Sequence, residues 1–239
     1  MDNGVWDVLL PLFFFLFIAG FFGLVGWIWW HGHKRDDRSD KQLQELIRFA
    51  EQRGWSYTAS VPGGADRYAG GPPFPLESFN IPLTDCITGE FRGRTFSCFE
   101  YHAREMNTDG ADTYRHWAVF AVTMPMSGPR LIVTGQGKVA KFNARLNARV
   151  FGGGEVLKLG DSAFDEAFLV TAHDERYARQ VLTGEVAQLL TSDPRAQKAP
   201  LRFDGNELIS WYWGRLRPEQ IDAKLNYLCD LLDRQQARA

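Results

Sequence analysis

RTFSCFEYHAREMNTDGADTYRHWAVFAVTM, residues 94–124, decides the fold. Arg94–Arg104 and Tyr114–Met124 are rich in aromatic and β-branched residues, and the polar run Asn107–Asp112 divides them. That composition with that punctuation predicts two antiparallel strands. Upstream, Leu83–Thr88 is a further strand, joined to the first by a turn around Gly89 and Gly93, and Trp55 and Tyr57 begin another. Downstream, Arg130–Thr134 is one more. Close spacing makes these a meander.

Helical patterns surround the strands. Asp40–Arg53 has an N-capping acid, apolar residues at Leu43, Leu46, Ile47 and Ala50, and Gly54 at its end, the signature of an amphipathic helix. Pro62–Pro82 is dense in glycine and proline and reads as a structured loop or mobile cover. Lys138–Phe151 has a helical pattern, the turn Gly152-Gly153-Gly154 leads to a strand at Glu155–Leu159, and Ser162 is placed to cap a short helix. Phe168–Ala172 is a strand and Asp174–Leu182 a helix capped by Asp174. Leu201–Asp204 and Glu207–Trp213 flank Gly205-Asn206 as a hairpin would. Pro218 opens a final helix whose face Ile221, Leu225, Leu228, Cys229 and Leu232 is apolar. The expected class is α+β: antiparallel sheet with covering helices.

Ahead of this lies Val8–Trp30, without a charged side chain. A membrane-crossing helix needs about 20 such residues. The leader is acidic at Asp2 and Asp7, and the run ends in Trp27, Trp29 and Trp30, which suits an uncleaved anchor better than a signal peptide. Lys34, Arg35, Arg38 and Lys41 follow the run and no cation precedes it. The positive-inside rule then predicts a plasma-membrane protein with residues 1–7 outside, 8–30 in the bilayer, a juxtamembrane segment and linker helix over 31–53, and a cytoplasmic domain over 54–239. That domain is one unit, or two divided near 152–160. His31 and His33 belong to the polar collar. Ala19 and Gly23 form a small-x-x-x-small pair through which two copies could pack as a homodimer.

The chain has 27 basic and 29 acidic residues. All the basic ones follow the apolar run, so the part beyond it is formally neutral. Such a surface gives no electrostatic reason to bind nucleic acid. Cys86, Cys98 and Cys229 form no C-x-x-C pair, in keeping with a reducing compartment.

Several residues could carry chemistry. Cys98, Glu100 and His102 share one strand face by alternation, and His116 sits on the antiparallel neighbour. These are zinc-ligand types, although a single C-x-E-x-H run lacks the specificity of paired knuckles, and a mixed sheet face with a satisfied histidine pair is the plainer expectation. Gly135-x-Gly137-x-x-Ala140 follows a strand as a dinucleotide motif does, but Glu155 opens the next strand where an acid should close it, so a plain turn is expected. Gly160-x-Ser162-x-Phe164 lacks the second glycine of a nucleophile elbow. His173-Asp174 marks a strand-to-helix junction. Trp211, Tyr212 and Trp213 pack by alternation, with one face left as a partner site. No catalytic set and no cofactor site emerges.

Four segments carry a resemblance: Arg53-Gly54-Trp55-Ser56-Tyr57; Thr88-Gly89 through Arg92-Gly93-Arg94-x-Phe96 to Phe99-Glu100-Tyr101; Phe164-x-x-x-Phe168-x-Val170 with Asp174 and Ala178 to Leu182; and Gly214-Arg215-Leu216-x-Pro218. In these the chain resembles a family of actinobacterial single-span membrane proteins of unassigned activity. The resemblance implies an N-terminal anchor, an α+β cytoplasmic domain and Glu100 as a recurring structural feature. It brings no catalytic residue. The long Gly/Pro loop and the cysteines depart from it.

The leading expectation is a non-enzymatic, membrane-anchored module that holds or regulates a protein partner. The alternative is a hydrolase or small-ligand-binding enzyme with a pocket beneath the 62–82 loop, using His102, His116 or Glu100.

Overall fold

The computed structural model describes residues 40–75, 77, 79–106, 112–136, 154–182 and 184–236. Val8–Trp30, the Ala19/Gly23 pair, His31, His33, the 138–151 helix and the Gly152–Gly153 turn lie outside these residues. Among the described residues no helix is long and apolar enough to cross a membrane. Two compact units divide at residue 48, and the whole sheet lies in the second, residues 49–239.

Helix α1 (40–52) buries Leu46 and Ala50 and half-buries Leu43 and Ile47, the face expected from the apolar spacing. It ends in a Schellman turn: the Gly54 amide donates to the Glu51 carbonyl and the Trp55 amide to Ala50. Gly54 takes φ +70°, which a side chain would resist.

The strands are β1 (Ser56–Val61), β2 (Leu83–Phe91), β3 (Arg94–Met106), β4 (Asp112–Gly135), β5 (Glu155–Leu157), β6 (Phe168–Ala172) and β7 (Leu201–Trp213). The first four form the expected antiparallel meander. The β2–β3 turn is the pair Arg92-Gly93, both at positive φ as a tight hairpin requires. Gly89 is not part of it. It lies within β2, where an added Cβ would stand 2.4 Å from the Trp55 ring.

Two expectations need correction. Tyr114–Met124 and Arg130–Thr134 are one strand, and so are Leu201–Asp204 and Glu207–Trp213; Gly205-Asn206 is no hairpin turn. β7 runs antiparallel along β4 from Trp213 opposite Trp117 to Leu201 opposite Val133, with register shifts around Gly128 and Gly205. Pro125 and Pro129 remove two ladder donors there, and the strands bulge instead of turning back. A bulge exchanges the faces of every residue beyond it. Hence Val119, Ala121, Ile209 and Trp211 share a core with Ile132, although their numbers differ in parity. On its other edge β4 pairs first with β3, then with β6.

The helices are α2 (Ser162–Ala167), α3 (Glu175–Val181), α4 (Glu185–Ser192) and α5 (Pro218–Gln236). Asp174 caps α3 as expected, accepting from the Tyr177 amide. The cap of α2 is Asp161 rather than Ser162: its carboxylate accepts from the Ala163 and Phe164 amides. Aspartate at that place also favours the positive end of the helix. On α5, Ile221, Leu225, Leu228, Cys229 and Leu232 are fully buried. Arg92 ties its outer side to the β2–β3 turn through Asp230 at 2.7 Å and Asp233.

The opposite face of the sheet is covered by the described residues of the 62–82 segment (62–75, 77 and 79–82), whose underside is packed with rings. Tyr68 stacks on Phe74, which packs against Phe99 and Tyr101, with ring centroids 4.6–6.3 Å apart. Two arginines fasten this cover. Arg202, 1% exposed, donates to the carbonyls of Tyr68 and Gly71, each at 2.8 Å, and to Asp204. Arg130 donates to the carbonyls of Gly70 and Ala69 and shares the same Asp204 oxygen at 2.8 Å. The segment is therefore a structured loop, its carbonyls satisfied from below by guanidinium groups.

Candidate functional site

Glu100, His102 and His116 come together, as alternation on β3 and its pairing with β4 require. His102 stands directly opposite His116 in the ladder, and Glu100 opposite Ala118, so Glu100 and His116 are diagonal neighbours. The imidazole centroids are 4.4 Å apart with an interplanar angle of 69°. Glu100 Oε2 lies 3.4 Å from His102 Nε2 and 3.7 Å from His116 Nδ1. The carboxylate is 3% exposed while the two histidines are about one-third exposed, at 37% and 32%.

The chain entering α5 holds the acid in place. The Leu216 amide donates to Glu100 Oε1 at 2.9 Å, which leaves Oε2 to the histidines. Thr84 Oγ1, opposite Glu100 on β2, lies 3.4 Å from His102 Nε2. A register shift between Thr84 and Ile87 puts Asp85 at φ +49°, and its carboxylate accepts from the Tyr57 hydroxyl at 2.7 Å.

Burial raises the Asp85 carboxyl and the charge of Glu100 adds to it, against the opposing hydrogen bond from Tyr57 and the positive charge of Arg215. The Tyr57 phenol is raised by burial and by Asp85. His116 is lowered, first by burial, then by His102 and Arg215, against the pull of Glu100. A neutral imidazole keeps one ring nitrogen as an acceptor. Chemically this is a carboxylate and two imidazoles converging on one point, with an uncommitted nitrogen: His116 Nδ1 is buried and has no hydrogen-bond partner.

Cys98 shares the face but not the cluster. It is fully buried, and burial drives its thiol pKa upward, disfavouring the thiolate that binds metal. Nor does the site lie beneath the 62–82 loop. Phe99 and Tyr101 point that way, so Glu100 and His102, alternate with them, face the α5 side. The pocket expected under the loop is occupied by aromatic rings.

Gly135 ends β4, where an added Cβ would come 2.5 Å from the Gln197 carbonyl oxygen; close backbone approach explains this glycine, and Gly137 lies outside the described residues. His173 follows β6 and its amide donates to the Arg130 carbonyl. Trp211 is buried in the loop-side core, and Lys224 on α5 sits 3.3 Å from the centroid of the Tyr212 ring. Trp213 is 67% exposed and packs edge-on against Trp117 at 5.7 Å. Thr84, Asp85, Tyr57 and the Leu216 amide were not apparent in the linear chain. The short polar pair Thr84-Asp85 inside an apolar strand was the available signal for the bulge.

No protein-family model matches the chain, and no curated protein matches it. Among solved structures, it is similar to the mycobacterial trehalose monomycolate transport factor A, TtfA. The match covers 81% of this chain and 93% of TtfA, with a TM-score of 0.56 at 11% sequence identity. The two share a fold. Mycobacteria are actinobacteria, so the structural neighbour comes from the group to which the sequence resemblance pointed.

Proposed function

We propose that this chain is a non-enzymatic accessory factor of a membrane process. It is tethered through Val8–Trp30 and works through residues 49–239 on a protein partner at the cytoplasmic face. The observation that carries the reading is the fold shared with nearly all of TtfA, whose name describes a transport factor. From that neighbour the proposal takes the kind of role; trehalose monomycolate remains TtfA's. The uncharged run supports the tether, because about 20 apolar residues span a bilayer core. The filled underside of the 62–82 loop supports a scaffold over a pocket enzyme, since the cover is fastened over packed rings rather than a cavity.

The test is proximity labelling in intact cells with full-length protein, compared with a control carrying residues 1–39 fused to an unrelated soluble domain. The expected result is enrichment of one or a few membrane proteins by the full chain and not by the control. Identical labelling by both would overturn the proposal. Labelling from outside the cell of a cysteine introduced at residues 36–40 would overturn the orientation.

A further inference from the structure

We infer that Glu100, His102 and His116 form a three-ligand site for a divalent transition metal ion, zinc foremost. One ligand atom from each residue lies within 4.8 Å of the others. Zinc bonds to nitrogen and carboxylate oxygen are about 2.0–2.2 Å long, which sets neighbouring tetrahedral ligands about 3.3–3.6 Å apart. The separations from Glu100 Oε2 to the two histidines, 3.4 and 3.7 Å, fall on or close to that edge length.

The plainer account, a histidine pair satisfied by hydrogen bonds, leaves the donors poorly served. The two contacts of His102 Nε2, to Glu100 and to Thr84, are both at the long limit of a hydrogen bond at 3.4 Å, and the one from His116 to Glu100 is beyond it. His116 Nδ1 is a buried nitrogen without a hydrogen-bond partner, pointing into the cluster. A buried polar atom in that state is costly, and a cation at the common focus satisfies it together with Glu100 Oε2.

The surroundings have the form of a metal site's outer shell. The Leu216 amide fixes the free oxygen of the ligating carboxylate, as outer-shell donors do. Two imidazoles and one carboxylate are a recurrent zinc set that leaves one position to solvent, and the one-third exposure of both histidines provides the access. The ligands sit on adjacent paired strands, so they are held close to this geometry before an ion arrives. The site is independent of the proposed accessory role and stands or falls separately.

Full-length protein in detergent, stripped with chelator and dialysed against zinc, should retain about one zinc per chain by elemental analysis. Glu100→Gln is the most telling variant, because its amide oxygen can still accept from Leu216 while the ligating charge is gone. It and His116→Gln should weaken zinc by more than the roughly 10–100-fold typical of losing an outer-shell partner. His31→Ala with His33→Ala should retain the ion. A second measurement needs no variant: cobalt(II) in the wild-type protein should give the intense visible absorption of a four-coordinate site, discharged by zinc. Near-zero stoichiometry, full retention in Glu100→Gln and His116→Gln, or a weak six-coordinate cobalt spectrum overturns the assignment.

Discussion

Arg202→Met tests what fastens the 62–82 segment. Arg202 is 1% exposed, and methionine keeps much of its apolar stem while deleting the guanidinium. Not every partner is stranded. Asp204 and the Ala69 carbonyl keep Arg130, at 2.8 and 3.3 Å. The carbonyls of Tyr68 and Gly71 lose the 2.8 Å bonds from Arg202, but the Gly71 carbonyl keeps the Phe74 amide at 3.1 Å, so the Tyr68 carbonyl is the acceptor stranded. A buried acceptor left unpaired costs about 1–3 kcal/mol, and the midpoint is about 2 kcal/mol. For a domain of this size each kcal/mol moves Tm by about 2–4 °C, so the expected fall is roughly 4–8 °C. Urea unfolding followed by tryptophan fluorescence gives the free energy directly. Limited trypsinolysis gives the location: Arg67, 59% exposed, should be cut faster in the variant while sites on α5 are not. A loss below about 1 kcal/mol, or unchanged cleavage after Arg67, would show that the guanidinium does not secure the loop.

Acidification should weaken the same network. Burial pushes Asp204 upward, but Arg202 and Arg130 prevail and hold its carboxyl below the ordinary value of 3.8. A depressed carboxyl contributes stability that is complete above its unfolded pKa and is lost as pH falls through the folded one. Wild type should therefore lose more stability than Asp204→Asn below about pH 4, measured as urea midpoints from neutral to acid pH. Gly135→Ala should destabilise by about 1–3 kcal/mol, because the atom it meets is a backbone oxygen that cannot rotate away; an unchanged Tm would be contrary. Cys86, Cys98 and Cys229 are buried free thiols, with Cys86 pushed up to about 11 by burial and by Asp85. Native protein should resist thiol alkylation at neutral pH and take up three equivalents in denaturant. Rapid native labelling of any of the three would contradict their burial.

The sheet was legible from local pattern because its first four strands are consecutive. Each hairpin needs information from neighbouring residues alone, and the Arg92-Gly93 turn is written in two adjacent positions. The β4–β7 pair was not. Gly205-Asn206 carries the chemistry of a hairpin, and what overrides it is the matching break around Gly128, some 77 residues earlier in the chain. Arg202 and Arg130 were hidden for a related reason: their partners are loop carbonyls, and a carbonyl has no sequence signature. Glu100, His102 and His116 were visible as a group because period-two alternation and antiparallel pairing place them. Their distances and the Leu216 amide that orients the acid depend on where α5 begins, which no strand pattern encodes. The expected pocket under the loop failed on parity, since residues alternate with Phe99 and Tyr101 cannot share their face.

That parity makes the two networks separable. Arg202 faces the loop, whereas Glu100 faces α5, opposite Ala118 on β4. Along β7, Arg202 and Tyr212, which pairs with Ala118, are ten positions apart, roughly 30 Å of strand. The bonds of Arg202 go to Tyr68, Gly71 and Asp204 and that of Glu100 comes from Leu216, so the two have no partner in common among these. Distant sites without a common partner add to within about 0.3–0.5 kcal/mol. The Arg202→Met, Glu100→Gln double variant should accordingly lose the sum of the single losses, and zinc retention in Arg202→Met should equal wild type. A coupling above about 1 kcal/mol, or zinc lost with Arg202, would mean that β4 and β7 move as one body across the bulge. The face carrying the candidate metal ligands and the face carrying the fastened loop would then be two ends of a single cooperative element.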